Sequence, residues 1–323
     1  GSLPLKYLGL PLVPRRLSTF DCRCLTLRMV NKIHYWTSKC LSFSGRLQLI
    51  QATLTGILNF WVCNTVLPKS TLLECERIMR DYLWAGSMTR KQAKVAWAHV
   101  CKPKEEGGLG LRRSTECNNA ALMKLLWEML TNTFPLVTWK SLLRLRPRFA
   151  TNLVYTIGHN SSWSLWHDPF QSKPLRDRLG DRVIYDSGLP IAATLSMVQQ
   201  GNFWNWPEHV WQLRDISSAC SNISFGQRDS IGWCRADGAF SYRAAWDLIR
   251  ASSPVVTWAK VVWFSGAIPK HSFCLWLTFR KAHLTLDKLQ AYGVVQQSLC
   301  PFGCGQQETI DHLFFNCSYT KSV

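Results

Sequence analysis

Acidic residues are scarce in this chain of 323 residues. It has 20 Asp and Glu against 38 Lys and Arg, which gives a formal net charge of +18. No two aspartates are adjacent, and the neighbouring acids that do occur are Glu105 and Glu106. Two-metal phosphoryl transfer needs carboxylates that hold two metal ions about 4 Å apart. The sequence therefore predicts no catalytic residue.

Long apolar runs and a secretory leader are also missing. No run of about 18 apolar residues occurs, which is the length that a membrane-spanning helix requires. The first residues lack the basic segment and the apolar core of a signal peptide. We expect a chain that does not enter membranes and that is nuclear or cytoplasmic.

The chain has enough apolar residues for a substantial core. Hydrophobic residues make up 47% of it, and 323 residues are enough for two or three domains. The apolar periodicities predict a mainly α protein with a small α+β part. The 13 cysteines are odd in number and mostly isolated among apolar neighbours, as at Cys63, Cys101 and Cys274. We expect most of them to be reduced core residues.

The excess of positive charge is local. Residues 1–150 hold 23 Lys and Arg against 8 Asp and Glu, residues 151–230 hold 6 against 7, and residues 231–323 hold 9 against 5. We predict three domains, namely a basic N-terminal helical bundle at 1–150, an irregular tryptophan-rich connector at 151–228, and a C-terminal domain of a hairpin and helices at 229–323.

The first predicted helix runs from a cap at Ser18 or Thr19 to about Ser38. Its basic residues and one tyrosine share a face because of their spacing: Arg28, Lys32, Tyr35 and Lys39. The inward side is predicted to carry Phe20, Cys24, Leu27 and Val30. The basic face suits a phosphate backbone, with the ring covering a sugar or base. A solvated face without a partner is the alternative.

Two more helices complete the predicted bundle. The second is capped at Ser44 and carries an inward stripe of Leu47, Ile50, Leu54, Ile57 and Trp61. Arg46 lies in its first turn, where a cation opposes the helix dipole, so we expect a phosphate or carboxylate partner there. The third opens at Ser70 or Thr71, runs to Trp84 and is ended by Gly86.

A basic loop follows the bundle. It contains Arg90, Lys91 and Lys94, which we predict to be further contacts to nucleic acid. The glycines at 107, 108 and 110 come next, but neither their spacing nor the residues after them match a phosphate-binding P-loop. We therefore predict a turn at this position.

The last domain is predicted to begin with a β-hairpin. Its turn would be Ala236-Asp237-Gly238, since apolar residues alternate on both sides of this Asp-Gly pair. Ile231 and Trp233 would lie in one strand and Phe240 and Tyr242 in the other. A strongly apolar helix follows Pro269.

The C-terminal end carries the pattern with the clearest chemistry. A C-x3-C-x7-H-x4-C set is formed by Cys300, Cys304, His312 and Cys317. Structural zinc takes four N or S ligands in a tetrahedron, and a short Cys turn supplies two of them. Gly303 gives this turn its backbone freedom, and Thr309 is expected to cap a short helix that delivers His312. We predict a closed, structural zinc site, with a disulfide or chance clustering as the alternatives.

Four landmarks occur in order along the chain: Lys6 to Leu12 (KYLGLPL), Trp36 with Leu41 to Leu47 (LSFSGRL), Tyr82 to Trp84 (YLW), and Pro103 to Gly110 (PKEEGGLG). This order resembles the region after the catalytic palm in reverse transcriptases of plant non-LTR (LINE-type) retrotransposons. The resemblance implies a thumb, a helical bundle that grips the template and primer duplex. By that resemblance, the cations at positions 28, 32, 39 and 46 would contact its backbone. The C-terminal domain is similar to the zinc-binding domain of the same enzymes.

The resembled family consists of RNA-directed DNA polymerases, whose palm carries a Tyr/Phe-x-Asp-Asp motif. That motif is absent here, so we predict that the chain alone is inactive and that it binds RNA or an RNA/DNA duplex, with an upstream palm domain or a host protein as a further partner. The alternative is a domesticated host protein that acts as a protein-interaction module through its apolar C-terminal region. A third hypothesis is an enzyme completed in trans by a separate palm.

Overall fold

The protein is mainly helical and divides into two compact units. The computed structural model describes residues 5–13, 15–37, 40–87, 93–131, 145, 147–168, 173–201, 203–220, 225–233 and 238–322. One unit combines Gly1–Asn118 with Ile249–Val323, and we call it the discontinuous unit; the other is Asn119–Leu248, the inserted unit. The described strands form two-stranded sheets. The predicted fold class, mainly α with a small α+β part, is confirmed.

Most helices of the discontinuous unit precede the inserted unit. Their bounds are α1 Arg23–Thr37, α2 Phe43–Leu49, a π-helical turn Ile50–Leu54, α3 Thr55–Asn64, α4 Lys69–Ala85, α5 Trp97–Val100, a 3-10 turn Lys104–Glu106, and α6 Ser114–Thr131, which continues into the inserted unit. Ahead of them, strands β1 (Leu5–Tyr7) and β2 (Leu10–Leu12) pair in an antiparallel hairpin. Leu8 and Gly9 both have positive φ, as the tightest hairpin turns require.

Helix α1 buries a different face from the predicted one. Its buried residues are Leu25, Met29, Ile33 and Trp36, and Trp36 packs on Tyr82 of α4 with ring centroids 5.7 Å apart. Of the predicted inward residues, Phe20 is 71% exposed and Leu27 is 58% exposed. The prediction was wrong because the residues at 25, 29, 33 and 36 also have helical spacing, and the contact of Trp36 with α4 turns this stripe inward; Phe20 precedes the helix altogether.

The other predicted helices of the bundle agree better with the structure. The stripe of the second helix is buried at Leu47, Ile50, Leu54 and Trp61, whereas Ile57 is half-buried. Its N-cap is Ser42, which accepts a hydrogen bond from the Gly45 amide, and not the predicted Ser44, which is itself buried. Helix α4 ends at Gly86 with φ 74°, as the sequence predicted.

Cysteines divide between core and surface. Burial raises the pKa of Cys75 to about 12, as expected for an inert core thiol. Cys101 is buried as predicted, but Cys63 and Cys274 are exposed. Apolar sequence neighbours do not decide burial on a helix, because adjacent residues face different sides.

The glycine-rich turn joins the two segments of the discontinuous unit. Gly107 has φ 78°, and its carbonyl oxygen accepts hydrogen bonds from Trp276 Nε1 and Arg280 Nε, each at 3.0 Å. The buried Glu106 carboxylate accepts from the Ser253 amide at 3.0 Å and pairs with Arg250 at 2.7 Å. The predicted turn is confirmed, and it holds residues from after position 249 against the N-terminal helices.

The C-terminal segment of the discontinuous unit is also helical. Its elements are α11 Ala259–Val262, α12 Pro269–Phe279, α13 Leu286–Ala291, a π-helical turn His312–Asn316, and α14 Ser318–Ser322. Phe273 of α12 stacks on Phe43 of α2 with centroids 5.5 Å apart. This packing fixes the segment that carries the Cys/His set.

The inserted unit has a core of its own. Its elements are β3 Leu153–Thr156, α7 Leu175–Leu179, α8 Arg182–Ser187, a 3-10 turn Leu195–Val198, β4 Gln199–Gln200, β5 Phe203–Trp204, α9 Trp211–Cys220, β6 Ser230–Trp233, and α10 Tyr242–Ile249, whose last residue belongs to the discontinuous unit. Leu165, Trp166 and Leu213 are at most 1% exposed at its centre. The three predicted domains have different boundaries from these two packing units, and they remain a prediction.

Strand β6 pairs with a different strand from the one that the sequence predicted. It pairs antiparallel with β3, with Trp233 opposite Leu153. Tyr242 begins helix α10 and is not in a second strand. The predicted turn residue Asp237 lies outside the described residues. No helix within the described ranges is long and apolar enough to cross a membrane.

Candidate metal centre

The first two cysteines lie in a short hairpin. Leu299 and Gln307 form an antiparallel bridge, flanked by hydrogen bonds from the Cys300 amide to the Gln306 carbonyl (2.8 Å) and from the Glu308 amide to the Ser298 carbonyl (2.7 Å). Gly303 and Gly305 have φ of 71° and 74° in the turn. These left-handed conformations favour glycine, and they let the chain return within a few residues.

His312 begins the single helical turn that follows, and Cys317 comes directly after its last residue. The Thr309 hydroxyl accepts a hydrogen bond from the His312 amide at 3.1 Å, which confirms the predicted cap. The Cys317 amide then donates to the His312 carbonyl at 2.8 Å, a bond spanning five residues. This π-type turn brings the imidazole and the last thiol to the same side of the backbone.

The four side chains meet at one point. Their candidate ligand atoms all lie within 4.8 Å of one another. Cys300 Sγ is 3.8 Å from Cys317 Sγ, and Cys304 Sγ is 3.1 Å from His312 Nε2. A tetrahedron with Zn–S bonds of about 2.3 Å has S–S edges of roughly 3.8 Å. The cluster therefore fits a zinc ion in its donor set and in its dimensions.

The distances and the burial decide what kind of site this is. A disulfide has its sulfurs about 2 Å apart, so the 3.8 Å between Cys300 and Cys317 excludes that alternative for this conformation. Cys300, His312 and Cys317 are buried, and Cys304 is half-exposed. Four protein ligands complete a tetrahedron and leave no position for water, so the arrangement suits a structural ion.

The two buried thiols differ in their electrostatic surroundings. Burial raises the pKa of Cys300. Burial acts in the same direction at Cys317, but hydrogen bonds from the backbone amides of Thr320 and Tyr319 and from the thiols of Cys300 and Cys304 together outweigh it and lower the pKa. A bound dication would favour the thiolate form at both cysteines.

A buried carboxylate that the sequence analysis missed anchors the hairpin. Glu308 is 8% exposed, and its Oε1 accepts a hydrogen bond from the Leu286 amide at 3.0 Å. The Asp287 amide donates to the Glu308 carbonyl at 3.3 Å. On the other side, the His283 ring stacks on Phe314 with centroids 4.9 Å apart. No local signal could have identified these contacts, because the partners are about twenty to thirty residues apart in sequence.

The four residues have the donor set and the dimensions of a structural zinc site of the Cys3His type. In agreement, residues 240–323 match the family described as zinc-binding in reverse transcriptase. A putative ribonuclease H protein of Arabidopsis thaliana is 24% identical over 351 aligned residues, which cover 95% of this chain. The match covers 56% of that relative, so the chain spans little more than half of the relative's length.

The predicted nucleic-acid contacts lie in separate places. Arg28, Lys32 and Tyr35 are exposed on α1, as their spacing predicted. Lys39, Arg90 and Lys91 lie outside the described residues. The remaining two are brought together at one ring, with the Arg46 guanidinium 5.3 Å and Lys94 Nζ 5.5 Å from the centroid of Phe43.

Arg46 has a partner within the chain. Its Nη1 donates to the Leu83 carbonyl at 3.3 Å, in the last turn of α4. A carbonyl at a helix C-terminus carries partial negative charge, so Arg46 has a polar partner within the chain, and the expected phosphate or carboxylate partner stays a prediction. Contact of any of these residues with nucleic acid stays a prediction.

Proposed function

We propose that this chain is the nucleic-acid-binding part of a LINE-type reverse transcriptase, with a thumb-like basic bundle and a zinc-stabilised C-terminal segment. The single observation that carries the proposal is the exposed row of Arg28, Lys32 and Tyr35 in a unit of high positive charge. Cations at this spacing release counterions from a phosphate backbone. The match of residues 240–323 to zinc-binding segments of reverse transcriptases supports it.

The proposed ligand is RNA or an RNA/DNA duplex, held through its backbone and without strong sequence preference. Zinc at Cys300, Cys304, His312 and Cys317 would stabilise the fold and take no part in chemistry. Polymerisation would need a palm elsewhere in the same polypeptide or in a separate protein. The location would be nuclear or cytoplasmic.

Charge reversal tests the basic row. A fluorescent 16-base-pair RNA/DNA hybrid is titrated at several salt concentrations with the native chain, with Arg28→Glu/Lys32→Glu, and with Arg178→Glu/Arg182→Glu as a control on exposed cations of the inserted unit. Losing two phosphate contacts should reduce the slope of log K against log salt by about 2 and weaken binding at least tenfold. The control carries the same change in net charge and should stay within about threefold.

The salt dependence of binding by the native chain tests the proposal itself. If the affinity of the native chain does not change with salt concentration, backbone binding is contradicted. If both double variants lose the same affinity, binding depends on net charge and not on the row of Arg28, Lys32 and Tyr35. We also expect no primer extension by the purified chain with template, primer, nucleotides and Mg²⁺. Extension would mean that the missing Asp-Asp pair has been replaced by other carboxylates.

The protein-interaction alternative has an observation of its own. Several apolar side chains of the C-terminal segment are largely exposed: Val255 at 73%, Val261 at 58%, Phe264 at 61% and Ile268 at 57%. Patches of this kind mark protein interfaces in many proteins. A host protein that co-purifies after nuclease treatment, and that is lost in Val261→Asp, would favour this function over the grip on nucleic acid.

A further inference from the structure

A cleft in the discontinuous unit lies between α2 and the segment that leads into α12. Its lining includes Gln48, Gln51, Lys104, Trp263, Phe264 and Phe273. One wall therefore comes from the N-terminal helices and the other from the C-terminal segment. Both walls are held in place by the Phe43–Phe273 stack and by the ties to the glycine-rich turn.

Two aromatic rings in the cleft, Trp263 and Phe264, differ in their solvent exposure. Trp263 is half-buried, and Lys104 Nζ lies 4.6 Å from the centroid of its ring. Phe264 is 61% exposed, although burying a phenyl ring is worth about 2 kcal/mol. Phe264 therefore offers an exposed, flat apolar surface in a cleft that also contains a cation, over the Trp263 ring.

Side-chain amides line the opposite wall. Gln51 belongs to the π-helical turn Ile50–Leu54, and its Nε2 donates to the Leu109 carbonyl at 3.2 Å. Gln48 is exposed, and within the described ranges no hydrogen bond of its amide is found. Amides can donate and accept at once, which suits the edges of bases. Short π-helical turns occur frequently at functional sites.

The charge of the cleft favours an anionic ligand. Lys104 lines the cleft and is exposed. We propose that this cleft binds one or two bases of single-stranded nucleic acid. A base stacks on Phe264, the amides of Gln48 and Gln51 face its edge, and Lys104 contacts a flanking phosphate. The proposal rests on the proposed function in requiring a polyanionic ligand, but it concerns bases and not the duplex backbone.

Removal of the exposed ring tests the cleft. Fluorescein-labelled (dT)12 is titrated by anisotropy at four salt concentrations with the native chain, with Phe264→Ala and with Phe264→Leu. The control is Tyr292→Ala, which removes a ring that is 69% exposed in the same unit. Losing one stacked base should weaken binding roughly tenfold without changing the salt slope. Phe264→Leu should lose nearly as much because leucine has no π face, and the control should stay within about twofold.

A 12-base-pair duplex and a fully abasic strand of 12 residues complete the test. Duplex binding should be equal in all variants, and the abasic strand should bind the native chain and Phe264→Ala alike. Equal binding of (dT)12 by the native chain and both Phe264 variants overturns the cleft and leaves the proposed function intact. Equal losses on single strand and duplex also overturn it, since they indicate a change of fold. A native chain that binds neither ligand overturns both proposals.

Discussion

The discontinuous unit and the inserted unit differ most in charge. By sequence, the discontinuous unit holds 25 Lys and Arg against 10 Asp and Glu, a net +15, whereas the inserted unit holds 13 against 10, a net +3. A polyanion would therefore be attracted mainly to one unit. Within the discontinuous unit, residues 1–118 hold 18 Lys and Arg against 7 Asp and Glu, and residues 249–323 hold 7 against 3, so most of the excess lies in the N-terminal segment and the C-terminal segment adds to it.

The two units also differ in what stabilises them. The inserted unit has an apolar cluster centred on Leu165, Trp166 and Leu213. Long-range polar contacts occur in both units, for example Glu106 with Arg250 in the discontinuous unit and the Gly158 amide with the Asp229 carboxylate in the inserted unit. The Cys/His cluster belongs to the discontinuous unit. The fold of the discontinuous unit is therefore expected to respond to metal removal, while the inserted unit should not.

Loss of a metal ligand should have the largest effect. Cys304→Ser removes a half-exposed thiol, so little packing is lost with it. We expect zinc to fall from about one ion per chain to less than a fifth, and the discontinuous unit to lose more than about 4 kcal/mol of stability, because metal binding is coupled to folding. Metal analysis and limited proteolysis with mass spectrometry measure the two effects. Cuts should concentrate after residue 249 and spare the inserted unit.

Cys63→Ser is the matched control for this variant, since Cys63 is an exposed thiol in the same unit and outside the cluster. It should keep the full zinc content. A chelator should reproduce the Cys304→Ser pattern in the native chain and change nothing in the variant. Full zinc content in Cys304→Ser would contradict a four-ligand site.

The glycine-rich turn should give the second largest effect. A Cβ on Gly108 would lie 2.0 Å from the Lys102 carbonyl oxygen, which is backbone and cannot move aside. Gly108→Ala should therefore cost about 3 kcal/mol of unfolding free energy. Gly110→Ala is the control: φ is 76°, but the nearest atom is 3.7 Å away, so only about 1 kcal/mol of backbone strain is expected.

The corresponding change in the inserted unit is Gly158→Ala, whose Cβ would lie 2.5 Å from the backbone of Arg228 and Asp229. Urea unfolding followed by hydrogen exchange reports the two units separately. Gly108→Ala should reduce protection in the discontinuous unit, and Gly158→Ala in the inserted unit. If both variants reduce the hydrogen-exchange protection of the same residues, the two units do not unfold independently.

Local patterns were sufficient to predict the metal cluster and the end of α4. Cys300 and Cys304 share one hairpin, Thr309 caps the turn that carries His312, and Gly86 ends its helix with positive φ. Each of these features depends on residues close in sequence. When the residues are close in sequence, the chemistry or backbone preference of the residue type is enough to determine the local geometry.

Longer-range features could not be predicted in this way. The Gly107 carbonyl is hydrogen-bonded to side chains 169 and 173 residues away, at Trp276 and Arg280. The inward face of α1 is set by its contact with Tyr82 of α4. The partner of β6 is β3, with residues 157–229 between them in sequence. Apolar periodicity identifies an element, but it does not identify the surface against which that element packs.

Substitution of Arg46 should give the smallest effect on unfolding free energy. It tests whether this residue contributes to the stability of the fold or to the binding of nucleic acid. Arg46→Gln removes the hydrogen bond to the Leu83 carbonyl and the contact with the Phe43 ring. Since the side chain is half-buried, we expect a loss of about 1 kcal/mol in unfolding free energy. Arg28→Gln removes an exposed cation on α1 and should leave stability unchanged, while it lowers the salt slope of duplex binding by about 1. Urea titration should therefore detect a change in Arg46→Gln and none in Arg28→Gln, and the RNA/DNA hybrid binding assay should detect a lower salt slope in Arg28→Gln and no change in Arg46→Gln. A reduced salt slope in Arg46→Gln at unchanged stability would instead make Arg46 a phosphate contact, whose carbonyl partner contributes little to the fold.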